Sequence, residues 1–308
     1  MEAHKENAVV VTGGRGFIGR AVKQGLHRAG RRVLSLDRSE LSANAYGETG
    51  AGEEVAIDIT DAEKLRSLFE SRTITGIVHL AAILPTAALR DPLRATEVNV
   101  AGSLNLLEMA KEFGIRRFVF GSSLSVYGTC PAAQVVTETD RTAPEDLYGA
   151  AKLYVEQLGD AYRLAHGLEF VSLRIGRVVG AGARSATSAW RSEIFECLGA
   201  ADPGEIVIPF AVSERILLVH VEDVAKMLVS LVGAPRPSHS VFNAACESVV
   251  VGKLKGEIER LNPRVRVRLE GQAAVGNPRR VDWSRLAGKF GVEVVPILER
   301  LAGAVRCG

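Results

Sequence analysis

Short apolar, β-branched runs recur along the first 175 residues, each followed by a stretch whose apolar positions fall three or four apart. Val9-Val10-Val11 opens the series, an uninterrupted run that suits a strand buried on both faces. A helical pattern follows from Phe17 to about Ala29. Residues 32–37, 54–59, 76–82, 117–122 and 170–175 read as five further strands. Between them, Thr60 and Glu63 stand at capping-box spacing and predict a helix to about Glu70. Asp91 and Pro92 form an N-cap and first-turn pair for a long helix to about Phe113. Pro144 precedes a helix reaching about Ala165. Six strand–helix alternations predict an α/β fold, a Rossmann-type doubly wound parallel sheet with helices on both faces.

After Gly176 the alternation stops. Residues 180–185 are a glycine- and alanine-rich loop, and 214–232 read as a strand and helix that rejoin the sheet. The expected division is a dinucleotide-binding domain over 1–181, with 214–235 returning to it. A smaller C-terminal substrate-binding lobe takes 182–213 and 236–308. The cleft between them lies over the carboxyl ends of the strands, where open parallel sheets bind ligands.

Composition narrows the function. The chain is 47% hydrophobic and 24% charged, as soluble globular chains are. A formal charge of +2 over 308 residues and 6% aromatics give neither the field nor the stacking surface of a nucleic-acid binder. Apolar runs fall short of the roughly 18 residues of a membrane helix, and the first residues lack a signal-peptide core. A cytoplasmic protein without a membrane partner is expected. Cys130, Cys197, Cys246 and Cys307 form no CxxC pair and stand near no histidine at zinc-ligand spacing. Free thiols and no metal site follow.

Thr12-Gly13-Gly14-Arg15-Gly16-Phe17-Ile18-Gly19 joins the first strand to the first helix. Gly13 permits a tight turn, Gly16 a close approach to a pyrophosphate, and Gly19 close helix–strand packing. Phe17 and Ile18 open a helix whose N–H groups and dipole favour that anion. Asp37 ends the second strand, where a carboxylate accepts both ribose hydroxyls and repels a 2′-phosphate, so NAD is expected rather than NADP. Arg38 beside it is the competing feature, because it suits such a phosphate. Asp58 and Ile59 end the third strand, where they face either an adenine ring or solvent.

Tyr148 and Lys152 stand at i and i+4, on one helix face. An ammonium there favours the phenolate, an oxidised nicotinamide adds more positive potential, and together they draw the tyrosine from its ordinary value near 10 toward working pH, as acid–base catalysis requires. Ser123 ends the fifth strand and can hold a substrate oxygen beside Tyr148; Ser122 and Ser125 compete for that role. Asn99, inside the long helix, breaks that helix locally, bonds a water, or simply packs.

These residues resemble the extended short-chain dehydrogenase/reductase family, the group that includes UDP-glucose 4-epimerase. The likeness covers about 1–175, through TGGRGFIG, LD at 36–37, DITD at 58–61, HLAA at 79–82, VNVAGSLNLLEMA at 98–110, SSLSVYG at 122–128 and YGAAK at 148–152. ILLVHVEDVAKML at 216–228 is similar to a later strand–helix segment of the family. The resemblance implies Ser123, Tyr148 and Lys152 as the catalytic group. It also implies Leu80, Ala81, Ala82, Asn99 and Ser122 as further contacts to NAD. The implied chemistry is oxidation of a hydroxyl to a ketone, which is re-reduced (epimerase), released (dehydrogenase) or carried through elimination (dehydratase). Leu124 and Ser125 stand where 4,6-dehydratases have Asp-Glu, and the stretch lacks the cysteine of 3,5-epimerases. The leading expectation is a nucleotide-sugar 4-epimerase; the alternative is an NAD-dependent dehydrogenase of a sugar, sugar acid or related alcohol. A non-catalytic nucleotide sensor is the third reading. Arg177, where epimerases commonly have asparagine, and Arg215, one residue out of register, are the candidate substrate-binding residues. Arg279 and Arg280 lie near a further arginine expected on the diphosphate. Homodimerisation is implied through the helices at Pro92 and Tyr148, with Leu104, Leu107 and Leu153 as candidate contacts.

Overall fold

Alternate side chains of the first strand, β1 (Ala8–Thr12), face opposite helical layers, and all are buried. Val9 and Val11 enter one apolar cluster with Val22, Leu26, Val224 and Leu228. Val10 enters another with Leu34, Leu65, Ile77 and Leu106. This is the two-sided burial that an unbroken valine run predicts. The computed structural model describes residues 7–38, 52–183, 188–200 and 203–305, so Cys307 lies outside the described residues.

The alternation continues through α1 (Phe17–Arg28), β2 (Arg32–Asp37), β3 (Glu53–Ala56), α2 (Ala62–Ser71) and β4 (Ile74–His79). After α3 (Pro85–Arg90) come α4 (Pro92–Thr96), α5 (Gly102–Glu112), β5 (Arg117–Ser123), α6 (Leu147–His166) and β6 (Glu169–Ile175). Two details differ from the sequence reading. The cap of α2 is Asp61, whose carboxylate accepts from the Lys64 N–H, while Thr60 donates to Asp58 instead. The long helix after Pro92 is interrupted by a π-turn at Glu97–Ala101.

The remaining elements are β7 (Arg177–Val179), α7 (Trp190–Glu196), β8 (Glu205–Phe210), β9 (Arg215–His220), α8 (Val221–Gly233), β10 (Val241–Asn243), β11 (Glu247–Val250), α9 (Val251–Leu261), β12 (Arg266–Gln272), α10 (Ser284–Phe290) and α11 (Ile297–Ala304). Among the described residues the central sheet runs β10-β6-β5-β4-β1-β2-β3, with every neighbouring pair parallel. Strand order therefore reverses between β1 and β4, and the crevice opens at their carboxyl ends.

The expectation for 214–232 is corrected. Helix α8 does pack beside α1 over β4 and β5, but β9 joins β7 and β11 in a separate three-stranded sheet. Its two faces explain why. Leu217 and Val219 enter the sheet's core, whereas Ile216 and Leu218 enter a third cluster with Trp190, Ile206, Leu254 and Ile258. β9 thus joins two apolar clusters. The seventh strand of the central sheet is β10, from the segment assigned to the small lobe. It pairs Phe242 with Leu173, and the Phe242 side chain is fully buried.

Candidate active site

The first turn after β1 closes because Gly13 adopts φ +67°, a left-handed conformation that favours glycine. A β-carbon there would lie 2.8 Å from the Ala81 nitrogen. One at Gly19 would lie 2.1 Å from the Gly13 oxygen. The two glycines let α1 begin directly against the strand ends. Gly16 is the N-cap of α1 and no side chain caps it, so the helix offers its free N–H groups to the crevice. The cradle fits a dinucleotide pyrophosphate.

A groove of about 690 Å3 runs across these strand ends, within the usual range for small-molecule sites. Gly13, Gly16, Phe17, Ile18 and Gly19 line one side, with Asp37, Arg38, Asp58 and Ile59 at the far end. Asp37 accepts from the N–H groups of Arg15 (3.0 Å) and Arg38 (2.9 Å), which hold the carboxylate beside the loop. Arg38 is exposed at the rim. Asp58 is more committed: it accepts from the Thr60 N–H and hydroxyl and pairs with Arg94. Burial works against its charge, but those bonds and Arg94 outweigh it and hold its carboxyl below the ordinary range.

Leu80, Ala81 and Ala82 follow β4 and line the opposite wall. The Thr12 hydroxyl oxygen accepts from the Leu80 and Ala81 N–H groups and meets His79 Nδ1 at 2.6 Å. His79 Nε2 meets the Ser103 hydroxyl at 2.8 Å. Burial, assisted by the Lys152 charge, pushes this histidine down to about 3, so it stays neutral.

At the other end are the catalytic candidates. Lys152 Nζ donates to the Gly121 carbonyl at 2.7 Å and lies 5.4 Å from the Tyr148 ring centre. Asp146 caps α6 through the Gly149 N–H and so fixes the turn that carries Tyr148. The Ser123 hydroxyl oxygen accepts from the Ser125 N–H (3.1 Å) and hydroxyl (2.8 Å), which leaves its own proton to donate. The sequence expectation that Lys152 and an oxidised nicotinamide together draw the tyrosine down is not met by the protein's own groups alone. Burial pushes the Tyr148 phenol above its ordinary value, Asp146 adds to this, and Arg191 opposes it. Burial also pushes the Lys152 ammonium down to about 7, against the pull of Glu156.

Two candidates are placed elsewhere. Asn99 is not among the lining residues. It sits in the π-turn, accepts from the Ile83 N–H (2.7 Å) and donates to the Ile83 carbonyl (2.9 Å). It holds the wall residue Ile83 rather than facing the groove. Arg215 also lies off the groove and donates to the Ser248 carbonyl; Arg279 pairs with Glu214. Ser122 lines the groove, but its hydroxyl donates to Glu156 at 2.5 Å. Arg177 does line it. Sequence reasoning missed Arg191, Ser188 and Asn277, which line the groove from the small lobe. No motif marks them, since the fold alone brings α7 and the segment after β12 to the strand ends.

A model of the NAD dependent epimerase/dehydratase family matches residues 9–245. The UDP-glucose 4-epimerase of Lacticaseibacillus casei is 36% identical over 181 residues, 56% of this chain and 52% of that protein. The mitochondrial L-threonine 3-dehydrogenase of Bos taurus is 25% identical over 267 residues, 85% of this chain and 70% of that one. The chain spans about half the length of the first curated relatives it matches. The fold is that of L-threonine 3-dehydrogenase from Trypanosoma brucei (TM-score 0.84, 22% identity, covering 97% and 96% of the two chains). It is equally that of Thermus thermophilus UDP-glucose 4-epimerase in complex with NAD (TM-score 0.82, 23% identity, 98% of both chains).

Proposed function

The chain belongs to the NAD dependent epimerase/dehydratase family, and from that premise we propose that it is an NAD-dependent oxidoreductase interconverting a secondary alcohol and its ketone. The observation that carries this reading is the single groove that joins the glycine loop and Asp37 to Ser123, Tyr148 and Lys152. When bound, NAD supplies the hydride acceptor at the nicotinamide. The protein's part is the rest. The glycine loop and α1 hold the pyrophosphate, and Asp37 favours NAD over NADP through the ribose hydroxyls. Ser123 donates to the substrate oxygen. Tyr148 takes the hydroxyl proton as the C–H hydride leaves, and returns it in the reverse direction. Lys152, fixed by Gly121, adds in its charged form to the positive potential that an oxidised nicotinamide brings beside this phenol.

A released ketone is supported over a retained one by the arginines. Arg215 and Arg279, two of the candidates for a nucleotide diphosphate, are engaged away from the groove, and besides Arg38 at the Asp37 end the arginines that line it are Arg177 and Arg191. The 85% of this chain aligned with a threonine dehydrogenase agrees with that choice. The second reading is a nucleotide-sugar 4-epimerase, favoured by the 36% identity to a UDP-glucose 4-epimerase. Incubation with hydroxy acids, L-threonine and UDP-sugars separates them. Net formation of reduced nicotinamide supports the dehydrogenase; UDP-glucose and UDP-galactose interconverting without it sinks that reading. Tyr148→Phe should cut turnover by at least ~10²-fold while NAD still binds.

We also propose a homodimer through α4, α5 and α6. The expected contact Leu107 is fully buried within its own chain, whereas Leu93, Leu104 and Tyr154 are exposed on those helices at 80%, 36% and 51%.

A further inference from the structure

We propose that Arg177 and Arg191 form an oxyanion subsite, which anchors a carboxylate or phosphate carried within a few bonds of the hydroxyl that meets Tyr148. This rests on the alcohol-oxidising reading and adds the substrate class: a hydroxy acid or a phosphorylated hydroxy compound.

The two side chains stand apart from the enclosed arginines that carry ion pairs. Arg174 pairs with Glu156, Arg117 with Glu169, Arg279 with Glu214 and Arg300 with Asp223. Among the described residues no carboxylate pairs with Arg177 or Arg191. Arg177 lies 5.1 Å over the Phe210 ring and makes one long bond, 3.5 Å, to the Val275 carbonyl. Arg191 has a buried Nε without a partner. Both line the same groove as Tyr148. Burial, and for Arg177 the neighbouring Arg191 charge, hold both guanidiniums down to about 10. Two like charges set together without a counter-ion oppose folding, and such costs persist where a ligand supplies the missing charge. A planar guanidinium presents a fork of donors that matches a carboxylate or phosphate.

Position selects the class of anion. Arg177, Arg191 and Tyr148 line one groove and the Arg191 charge is felt at the phenol, so an anion on this pair shares that groove with the reacting carbon. In a nucleotide sugar the diphosphate is separated from the 4-hydroxyl by the width of the sugar ring. An acid group a few bonds from the carbinol places both ends in this groove with no ring between them.

The test uses the full chain loaded with NAD, with malonate, inorganic phosphate and UDP as probes. Affinity is read by calorimetry and stability by thermal denaturation, on wild type, Arg177→Met, Arg191→Met and Arg191→Lys. Malonate or phosphate should bind wild type and weaken about tenfold or more in each Met variant, since a charge-assisted bond is lost. Arg191→Lys should keep part of the affinity, because charge remains but the fork does not. The ligand-free melting temperature of Arg191→Met should equal or exceed that of wild type; an arginine with a merely structural role would lower it. Tighter malonate assigns a carboxylate, tighter phosphate a phosphate. The proposal is overturned if neither anion binds wild type, or if both Met variants bind like wild type. It is also overturned if UDP is the tightest probe and loses affinity in Arg191→Met. Probe binding as expected, with no hydroxy acid or phosphorylated alcohol reducing NAD, would instead sink the oxidoreductase reading and leave the subsite standing.

Discussion

Replacing Glu156 by glutamine should cost the protein much of its stability, because that carboxylate neutralises a guanidinium that water does not reach. Glu156 lies on α6 one turn beyond Lys152. Its Oε1 accepts from Arg174 Nε at 3.0 Å and from the Ser122 hydroxyl, and its Oε2 accepts from Arg174 Nη2 at 2.6 Å. Arg174 Nη1 donates to the Tyr127 oxygen at 2.7 Å, and Tyr127 donates to Asn243 Oδ1 at 2.8 Å. The network therefore ties α6 to β5, β6 and β10. The two ionic side chains are only 5% and 4% exposed. An amide keeps the shape but strands the cation, which costs roughly 3–5 kcal/mol for a buried pair. That is a large share of a total stability of about 5–15 kcal/mol. At roughly 2–4 °C per kcal/mol for chains of this size, the melting midpoint should fall on the order of 10 °C. Thermal and urea denaturation, followed by circular dichroism, read this directly. The double change Glu156→Leu with Arg174→Met should recover most of the loss, since an apolar pair of similar volume leaves no stranded charge. A Glu156→Gln midpoint within about 2 °C of wild type would refute the reasoning.

Other expectations follow from single contacts. Gly19→Ala puts a β-carbon 2.1 Å from the Gly13 oxygen. It should weaken NAD binding roughly ten- to a hundredfold, the equivalent of an overpacking cost of about 1–3 kcal/mol, as read by fluorescence titration; unchanged affinity would place the pyrophosphate elsewhere. Lys152 titrates at about 7 in the fold against 10.5 when free. A depressed value means that stability is full above 10.5 and is lost as pH falls toward 7. Lys152→Met should therefore gain melting temperature relative to wild type as pH is lowered through that window, and a constant difference would contradict the shift. Burial pushes the Cys246 thiol up to about 12. It should resist thiol reagents in the folded protein and react on unfolding, and rapid labelling of Cys246 in the native state would count against its enclosure.

The first half of the molecule was legible because its elements are local and amphipathic in the expected periods. The valine run, the glycine loop and Asp37 each announce their places, since close backbone approach and two-sided burial restrict the residue types. The small lobe was not legible, because β9 serves two cores at once: Ile216 and Leu218 face one, Leu217 and Val219 the other. An unbroken apolar run such as residues 216–219 does not reveal which sheet it joins. Asn99 was readable as a helix interruption, but the partner it clamps, Ile83, lies 16 residues away and no spacing rule connects them. Arg191 carried no signal, since an arginine on a short helix usually faces solvent.

Four ionisable groups around the reacting position are shifted against their charged form: Tyr148 upward, Lys152 to about 7, Arg177 and Arg191 to about 10. Burial is the first cause in each case, so these are properties of the enclosure rather than of one neighbour. A phenol in such surroundings is a poor base at neutral pH, and Lys152 held at about 7 supplies only a fraction of a positive charge. Activation of Tyr148 therefore needs charge brought by the ligands. An oxidised nicotinamide adds positive potential beside the phenol and favours its ionised form, whereas a substrate anion on Arg177 and Arg191 offsets the Arg191 charge that opposes the upward shift. NAD binding makes the acid–base group competent, and removing the Arg191 charge should move the pH profile of kcat toward alkaline pH as well as raise KM. A purely adhesive role for that pair would raise KM and leave the profile where it was.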